Sequence, residues 1–300
     1  MNLFRKIISN GYYWFIKKPA RQFIGFAYLQ IPIAACKKSN VSTRKINREC
    51  IDIVVISFNN DYIINMQVDK LRKHIKDPFF LTIADNSTDN NKSKQIRQIC
   101  LEKEVAYIKL PSQKFFKLSA SHGIALNWVY RNYIKKREPG YFGFLDHDIF
   151  PVADIRIRDI LETQPYYGLK HYAVHSQNKY AWDVNSPGYW YLWAGFCFYN
   201  MAWLKNKKVD FMPFTFNAML FDTGGSNWKS LYANNIEGIY FPAWERVKIL
   251  LGNVRQSDFI DFIDNKWVHT INGGNWFMAA TEKFRIEDIL NEFELKVKQY

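Results

Sequence analysis

The chain has 300 residues, of which 48% are hydrophobic and 17% aromatic, and a formal net charge of +13. This composition supplies enough apolar side chains for a large core and excludes an intrinsically disordered chain. The four cysteines show no CxxC spacing, which argues against a disulfide framework and indicates a reducing compartment.

The positive charge is concentrated in residues 1–50. This segment holds ten Lys and Arg residues against one acid, Glu49, so a nucleic-acid groove across the fold is not expected. Its longest apolar run, residues 23–36, contains Gln30 and Pro32 and is too short to span a bilayer. The early charges also argue against a signal peptide. We predict a basic amphipathic extension that lies on an anionic membrane surface, with packing on the body or on a second subunit as the alternative.

The next hundred residues alternate between apolar runs and helix-like stretches. The runs that predict strands lie in IDIVVISFNN, PFFLTIADNSTDNN, VAYIKLP and YFGFLDHDIF. The stretches that predict helices are DYIINMQVDKLRKHIK, KSKQIRQICLEKE and SHGIALNWVYRNYIKKRE. This alternation predicts an α/β fold with a mostly parallel central sheet flanked by helices.

Polar residues follow the predicted strands at the edge where such sheets bind ligands. Asn59, Asp85 and Asp146 each lie at the carboxyl end of a predicted strand. Asp148 follows Asp146 by two positions, and one continuous strand would point both carboxylates to the same side. Like charges this close destabilise a fold unless a positive group lies between them. The pattern predicts a nucleotide-type site with a positive group beside the two aspartates.

Four motifs in this order resemble a glycosyltransferase of the GT-A fold, similar to family 2. They are VVISFNN, ADNSTDN, SHGIALN and the DxD-like FLDHDIF, and a later AGFCFYN resembles the small-residue strand near the donor sugar. The resemblance implies a Rossmann-like GT-A domain at 51–280, with a nucleotide-sugar half at 51–150 and an acceptor half at 151–280. It implies donor-binding roles for the following residues: Ser57, Phe58, Asn59, Asp85, Asn86, Gly123, Asp146 and Gly195.

The same resemblance implies that the positive group is Mn²⁺ or Mg²⁺, placed between the aspartates and the donor diphosphate. Hard carboxylate oxygens suit both ions. We expect Asp148 to be a direct ligand and Asp146 to contact the metal or the ribose. His269, in WVHTINGGNW, resembles the C-terminal histidine that completes the metal or diphosphate site in several GT-A enzymes. His147 is expected to point away and to pack as an ordinary histidine.

The acceptor half is rich in aromatic residues. Flat rings stack on sugar C–H surfaces, so Trp182, Trp190 and Trp193 are candidate acceptor contacts, although an aromatic core explains most such residues. An inverting transferase needs a carboxylate to deprotonate the acceptor hydroxyl. Asp222, before two glycines in FDTGGSNW, is the candidate base. Asp183 and Glu245 are the competing candidates.

The final segment, residues 281–300, predicts an amphipathic helix with Thr281 as its cap. Together these features predict a metal-dependent, inverting glycosyltransferase. We expect it to use a nucleotide-sugar donor, UDP-linked in the first instance, and a glycan or lipid-linked glycan acceptor in surface polysaccharide biosynthesis. It would work in the cytoplasm, at the inner face of the membrane. The alternatives are a metal-dependent nucleotidyltransferase and an inactive GT-A subunit that binds glycans.

Overall fold

A central mixed sheet organises the fold. The computed structural model describes residues 18–36, 38–176, 188–234, 237–248, 259–271 and 285–298. The central strands are β1 (Ile51–Ser57), β2 (Phe79–Asp85), β3 (Ala106–Lys109), β4 (Tyr141–Asp146), β6 (Tyr166–Tyr172) and β8 (Trp190–Asn200). They lie in the order β3-β2-β1-β4-β8-β6, with β3, β2, β1 and β4 mutually parallel and β8 antiparallel to both of its neighbours. The predicted α/β fold with a mostly parallel sheet is confirmed.

Two smaller antiparallel sheets extend this core. The first contains β5 (Ile149–Pro151), β11 (Trp244–Lys248), β12 (Phe259–Ile263) and β13 (Trp267–His269), in the order β11-β12-β13-β5. The second contains β7 (Val174–His175), β9 (Phe214–Phe216) and β10 (Met219–Phe221), in the order β7-β10-β9. The first sheet brings residues from the end of the chain to the strand that follows β4.

Helices cover both faces of the central sheet. They are α1 (Lys18–Gln30), α2 (Asp61–His74), α3 (Asn90–Glu102), α4 (Ser119–Val129), α5 (Ile157–Thr163), α6 (Met201–Leu204) and α7 (Arg285–Lys298). Helix α4 continues through a π-helical turn and a short last turn to Arg137. Asn60 caps α2 by accepting the Ile63 N–H, and Asp89 caps α3. Both caps lie directly after strand ends, so the helices begin beside the edge of the sheet.

The burial of β1 explains why its sequence is almost continuously apolar. Every residue of this strand is buried, as expected for a strand covered on both faces. Val54 packs into the cluster that contains Trp128 of α4. Ile53 faces the other way, into the cluster that contains Ile64 of α2 and Ile96 of α3. Successive side chains of β1 therefore pack alternately into two separate hydrophobic cores.

The run predicted as one strand, YFGFLDHDIF, forms two strands, and that prediction is wrong. β4 ends at Asp146, the chain turns at His147 and Asp148, and β5 then joins the four-stranded sheet by pairing Ile149 with His269. The two aspartates therefore do not share one side of a strand. They are close because a turn joins two sheets.

The described part of the predicted N-terminal extension packs on the body. Tyr28 of α1 is buried in the core. Trp128 Nε1 donates to the Ile31 carbonyl at 2.8 Å, and Asn132 Nδ2 donates to the Leu29 carbonyl at 3.1 Å. These bonds fix α1 along α4. Residues 1–17 lie outside the described residues.

The C-terminal helix α7 is held to α2 by a cluster of charges. Glu294 of α7 is 6% exposed and forms ion pairs with Lys70 and Lys73 and a contact of 3.0 Å to His74 Nε2. The predicted cap, Thr281, lies outside the described residues. None of the helices in the described ranges combines the length and apolar character needed to cross a membrane.

This cluster predicts a pH-dependent contribution to stability. Burial alone would raise the pKa of Glu294, but hydrogen bonds from Lys70, Lys73 and His74 lower it from 4.5 to about 2. Because the folded pKa is lowered, the contribution is complete above the ordinary pKa and is lost as the pH falls towards 2. We expect Glu294→Gln to lower the free energy of unfolding at neutral pH by about 1.5–3 kcal/mol.

Denaturant unfolding of both proteins at a series of pH values checks this prediction. The difference between wild type and Glu294→Gln should shrink between about pH 5 and pH 2. Glu292→Gln is the matched control, since Glu292 pairs with Lys296 on the exposed side of the same helix. Equal losses for the two variants, or a difference that does not change with pH, would contradict the assignment.

Candidate functional site

Strand pairing brings the predicted polar residues to one edge of the central sheet. Ser57 at the end of β1 pairs with Asp85 at the end of β2. On the other side of β1, Ile56 pairs with Asp146 at the end of β4. The carboxyl ends of three parallel strands therefore meet, as ligand sites in such sheets require.

Asp85 is buried under this edge of the sheet and bonds to protein groups instead of facing an open site. Its carboxylate is fully buried, accepts hydrogen bonds from Ser93 and Tyr107, and lies 3.1 Å from Lys109 Nζ. Burial would raise the pKa of Asp85, but Lys109 and the hydrogen bonds hold it below its usual range. The structure thus corrects the predicted donor contact of Asp85, because its oxygens are already bonded to protein. The Ser57 hydroxyl is also buried and has no hydrogen-bond partner among the described residues.

The loops that follow β1 and β2 are tied together by Asn59. Its backbone has a positive φ of 51°, and its side-chain oxygen accepts the N–H groups of Thr88 and Asp89, each at 3.0 Å. Phe58 beside it is 47% exposed. Asn86 donates to the Ser121 hydroxyl at 3.3 Å, which links the β2 loop to α4. Of the predicted donor contacts on these two loops, Phe58, Asn59 and Asn86 lie where a ligand could reach them.

Asp146 faces the first turn of α4. Its Oδ1 lies 3.1 Å from His122 Nε2. Its Oδ2 lies where a Cβ on Gly195 would come within 2.5 Å, so only glycine leaves room for this carboxylate. Burial raises the pKa of Asp146 above its ordinary value; the His122 imidazole opposes this shift, and the charge of Asp148 adds to it.

Asp148 faces a histidine that a second carboxylate orients. His269 Nε2 lies 3.7 Å from Asp148 Oδ1, and His269 Nδ1 lies 3.3 Å from Asp261 Oδ2. Asp261 is held in turn by Arg246 at 2.9 Å. Burial alone would lower the pKa of His269, but the carboxylates of Asp148 and Asp261 raise it. The chain of contacts presents Nε2 of His269 towards Asp148.

Trp193 forms a wall beside this pair. It is 9% exposed, packs on His269 with ring centres 4.8 Å apart and stacks on His171 at 5.5 Å. Burial lowers the pKa of His171 to about 4, which keeps this ring neutral near neutral pH. Of the two predicted acceptor tryptophans among the described residues, Trp193 lies beside His269 and Trp190 does not.

The structure corrects two other predicted contacts. Trp190 is 1% exposed and stacks on Tyr232 in the core, where no acceptor reaches it. Gly123 is buried because its helix crosses another segment closely: a Cβ here would lie 2.8 Å from the Phe211 carbonyl. Trp182 and the competing base Asp183 lie outside the described residues.

Asp222 lies beside the same stretch of β8 that carries Trp193 and Gly195. The Thr223 carbonyl accepts the Ala194 N–H at 3.2 Å, and Tyr191 contacts the Asp222 backbone nitrogen at 3.1 Å. The Asp222 side chain is half-buried, and its Oδ1 accepts the Thr223 N–H at 2.7 Å. Within the described ranges its second oxygen accepts no hydrogen bond from protein, so a substrate hydroxyl could use it. The competitor Glu245 is exposed on β11.

Asp146, Asp148 and His269 could hold a divalent cation only together with further ligands, such as those of a diphosphate. Within the described ranges no three His, Cys, Asp or Glu side chains converge as a metal-binding group. Asp146 and Asp148 face different histidines, so the predicted ligands form no cage alone. However, Mg²⁺ is usually bound through one or two carboxylates and substrate phosphates. A metal-binding histidine usually donates its other N–H to a carboxylate, which is the relation of His269 to Asp261.

The close approach of Gly195 to Asp146 gives a prediction. In Gly195→Ala the new methyl group would meet Asp146 Oδ2 and the Trp193 ring, so the carboxylate must move. We expect a loss of activity of roughly 10²-fold, the scale of a misplacement of about 1 Å in a site. Turnover and the melting temperature of the variant are the measurements.

Gly168→Ala is the matched control. Gly168 lies on β6, and a Cβ there would meet the backbone of Phe196, the neighbour of Gly195 on β8, without touching Asp146. Both variants should lose stability from overpacking, by about 1–3 kcal/mol. Only Gly195→Ala should lose activity at a temperature where both are folded. Near-normal turnover in Gly195→Ala, or an equal loss in both, would contradict the role of Gly195.

Three residues of the site were not predicted from the sequence: His122, Asp261 and Arg246. His122 lies in SHGIALN, where the glycine drew attention instead. Asp261 faces His269 only because β12 pairs with β13. A cross-strand pair of this kind has no signature in a single sequence.

A scan against protein-family models finds no match for this chain, and a search of curated proteins finds none either. Among solved structures, the chain is similar to S. aureus TarS, at 17% identity over 54% of this chain and 30% of TarS, with a TM-score of 0.34. It is similar to the mannosyltransferase PcManGT from Pyrobaculum calidifontis in complex with GDP-Man and Mn²⁺, at 12% identity over 66% of this chain and 56% of that one, with a TM-score of 0.34. It is also similar to the mannosyltransferase Ktr4p from S. cerevisiae, at 10% identity over 62% and 67% of the two chains, with a TM-score of 0.36. The chain spans less than two thirds of the length of the first two structures. At these identities and TM-scores the likeness carries no argument about this chain.

Proposed function

We propose that the chain is a glycosyltransferase that moves a sugar from a nucleotide-sugar donor to a hydroxyl acceptor with the help of Mn²⁺ or Mg²⁺. One observation carries the proposal: Asp146 and Asp148 meet at the carboxyl edge of the sheet, each beside a histidine, and Asp261 orients the second histidine. The order of sequence motifs that resemble family 2 supports the same activity.

The donor end of the site would hold the diphosphate. Asp148 and His269 would bind the cation, and Asp146, fixed by His122 and Gly195, would bind the cation or the ribose. When bound, such a cation stabilises the negative charge of the leaving diphosphate as a Lewis acid. The two loops that hold Phe58, Asn59 and Asn86 lie at the same edge and would supply a surface for the nucleoside.

The acceptor end would lie beside Trp193 and Asp222. The acceptor hydroxyl oxygen attacks the sugar C1, the bond from C1 to the phosphate oxygen breaks, and Asp222 takes the hydroxyl proton. Attack from the side opposite the leaving group inverts the configuration at C1. Trp193 would line this end with the small part of its ring that stays exposed, since the ring packs on His171 and His269. We take the donor to be UDP-linked and the acceptor to be a glycan or lipid-linked glycan of surface polysaccharide biosynthesis, made at the cytoplasmic side of the membrane.

A panel of nucleotide sugars tests the proposal. The full chain is incubated with UDP-, GDP-, TDP- and CMP-sugars and Mn²⁺, and release of the free nucleotide is measured with and without EDTA. We expect slow hydrolysis of at least one donor that EDTA abolishes. The proposal would be wrong if the chain neither bound nor hydrolysed any of the nucleotide sugars. If it also released pyrophosphate from a nucleoside triphosphate, a nucleotidyltransferase would replace the proposal.

A further inference from the structure

Exposed apolar side chains are concentrated in one region of the surface. Of the described residues, five large hydrophobic side chains are at least 60% exposed: Leu118 at 90%, Phe23 at 72%, Phe115 at 65%, Leu295 at 61% and Phe26 at 60%. All but Leu295 lie on helix α1 or on the loop 113–118. Two elements that are far apart in sequence thus expose most of these side chains.

The loop 113–118 and α1 pack against each other. Phe116 is buried, and its ring tip would lie 3.3 Å from a Cβ on Gly25 of α1. Arg21 of α1 lies over the same ring, 5.3 Å from its centre. Gln113 bonds to the Phe116 N–H at 2.8 Å and to the Ser121 hydroxyl at 2.6 Å, which holds the loop on α4. Phe115 and Leu118 therefore project from a loop that is fixed in place.

Basic residues lie on the same two elements and line a groove beside them. Between α1, α4 and residues 208–212 lies a groove of about 770 Å³ with apolar walls that include Leu29, Ile124 and Met212. Its rim carries the following cationic residues: Lys18, Arg21, Arg131, Lys135 and Lys208. Two more lysines, Lys114 and Lys117, are exposed on the loop. The acid of the groove, Asp210, already accepts from Asn127 at 2.7 Å.

We propose that α1 and the loop 113–118 form a surface that docks on an anionic phospholipid bilayer. Exposed Phe and Leu side chains, together with Lys and Arg on the same elements and in the adjacent groove, have the chemistry of an interfacial membrane contact. The charge favours this occupant over a second copy of the chain, because two copies of the same basic surface would repel each other. The surface extends the membrane contact expected from residues 1–50 to a loop more than sixty residues further along the chain.

The docking surface is connected directly to the candidate site. Leu118 lies at the N-cap of α4, in a backbone conformation with a positive φ of 51°. His122, four residues later on this helix, contacts Asp146. Four residues of α-helix rise about 6 Å, so a docked bilayer would lie close to the DxD-like turn. The inference does not depend on sugar transfer, because lipid binding is measured separately.

Vesicle flotation of the full chain tests the proposal. Vesicles of phosphatidylcholine with phosphatidylglycerol are compared with vesicles of phosphatidylcholine alone. The loop variant combines Phe115→Ser with Leu118→Asn, since asparagine tolerates a positive φ. We expect the wild type to float with the anionic vesicles and the loop variant to partition roughly tenfold less, because two apolar side chains no longer leave water. A second variant, Lys114→Gln with Lys117→Gln, should lose about fivefold per lysine on anionic vesicles.

Leu295→Gln is the matched control, because Leu295 is an exposed leucine on α7, away from this surface. It should bind like wild type. Circular dichroism and melting temperatures show that each variant is folded, which is expected because the altered side chains are exposed. Wild-type binding by the loop variant would overturn the proposal, and so would equal losses in the loop variant and Leu295→Gln. Equal flotation of the wild type with neutral and anionic vesicles would also overturn it.

Discussion

Asp148→Ala is expected to abolish sugar transfer and leave the fold intact. Asp148 is 7% exposed in the turn between β4 and β5, and its carboxylate faces His269 across 3.7 Å. Removing it takes away the charged oxygen that we propose as a ligand of the cation. Because a metal ion contributes several kcal/mol to stabilising a leaving group, we expect kcat/KM to fall by roughly a thousandfold or more.

The backbone around Asp148 does not depend on its side chain. The Asp148 carbonyl accepts the Thr270 N–H at 2.9 Å, and this bond remains in the alanine variant. Asp69→Ala is the control, since Asp69 is an exposed carboxylate on α2 that pairs with Lys103. The measurements are the rate of donor hydrolysis and the melting temperature. Retained activity in Asp148→Ala would show that this carboxylate does not take part in the reaction.

Asp222→Asn is expected to lower kcat by roughly 10²- to 10⁴-fold, the contribution of a positioned general base. In the wild type, Asp222 Oδ1 accepts a hydrogen bond from the Thr223 N–H at 2.7 Å. Asparagine has the same size and keeps an oxygen that can accept this bond. It cannot accept the proton of the acceptor hydroxyl. Donor affinity should change little, because the proposed diphosphate contacts lie at Asp148 and His269.

Two assays on the same variant separate a base from a structural residue. Product formation is measured at saturating acceptor, and UDP-sugar binding is measured by calorimetry. A fall in kcat with unchanged donor affinity supports the base, whereas loss of both together marks Asp222 as structural or donor-binding. If Asp222→Asn turns over normally, the assignment fails, and Asp183→Asn and Glu245→Gln become the variants to test.

The edge of the sheet could be predicted from the sequence because parallel pairing is regular. Once β1, β2 and β4 are recognised as parallel neighbours, their carboxyl ends must meet, and Asp85 and Asp146 must lie at the same edge. What each carboxylate contacts could not be predicted. Asp85 is enclosed by Ser93, Tyr107 and Lys109, and this enclosure depends on how α3 and β3 pack.

The turn at His147 could not be predicted from local preference. Residues with high strand propensity continue from β4 into β5, so the run looks uninterrupted. Only the pairing of Ile149 with His269, more than a hundred residues away, takes β5 into a second sheet. The docking surface could not be predicted for the same reason, because it depends on tertiary contacts. Nothing in QKFFKL distinguishes the buried Phe116 from the exposed Phe115 until the loop packs on α1.

Titration calorimetry of UDP with the full chain, with Mn²⁺ and with EDTA, tests most directly whether this site is a metal-dependent nucleotide site. The proposal predicts that binding measured with Mn²⁺ weakens by at least about a hundredfold in EDTA, because the carboxylates of Asp146 and Asp148 would then repel the diphosphate without a cation between them. It also predicts that Asp148→Ala binds UDP equally weakly with and without Mn²⁺. Equal affinity of the wild-type chain for UDP with Mn²⁺ and with EDTA would contradict the metal role.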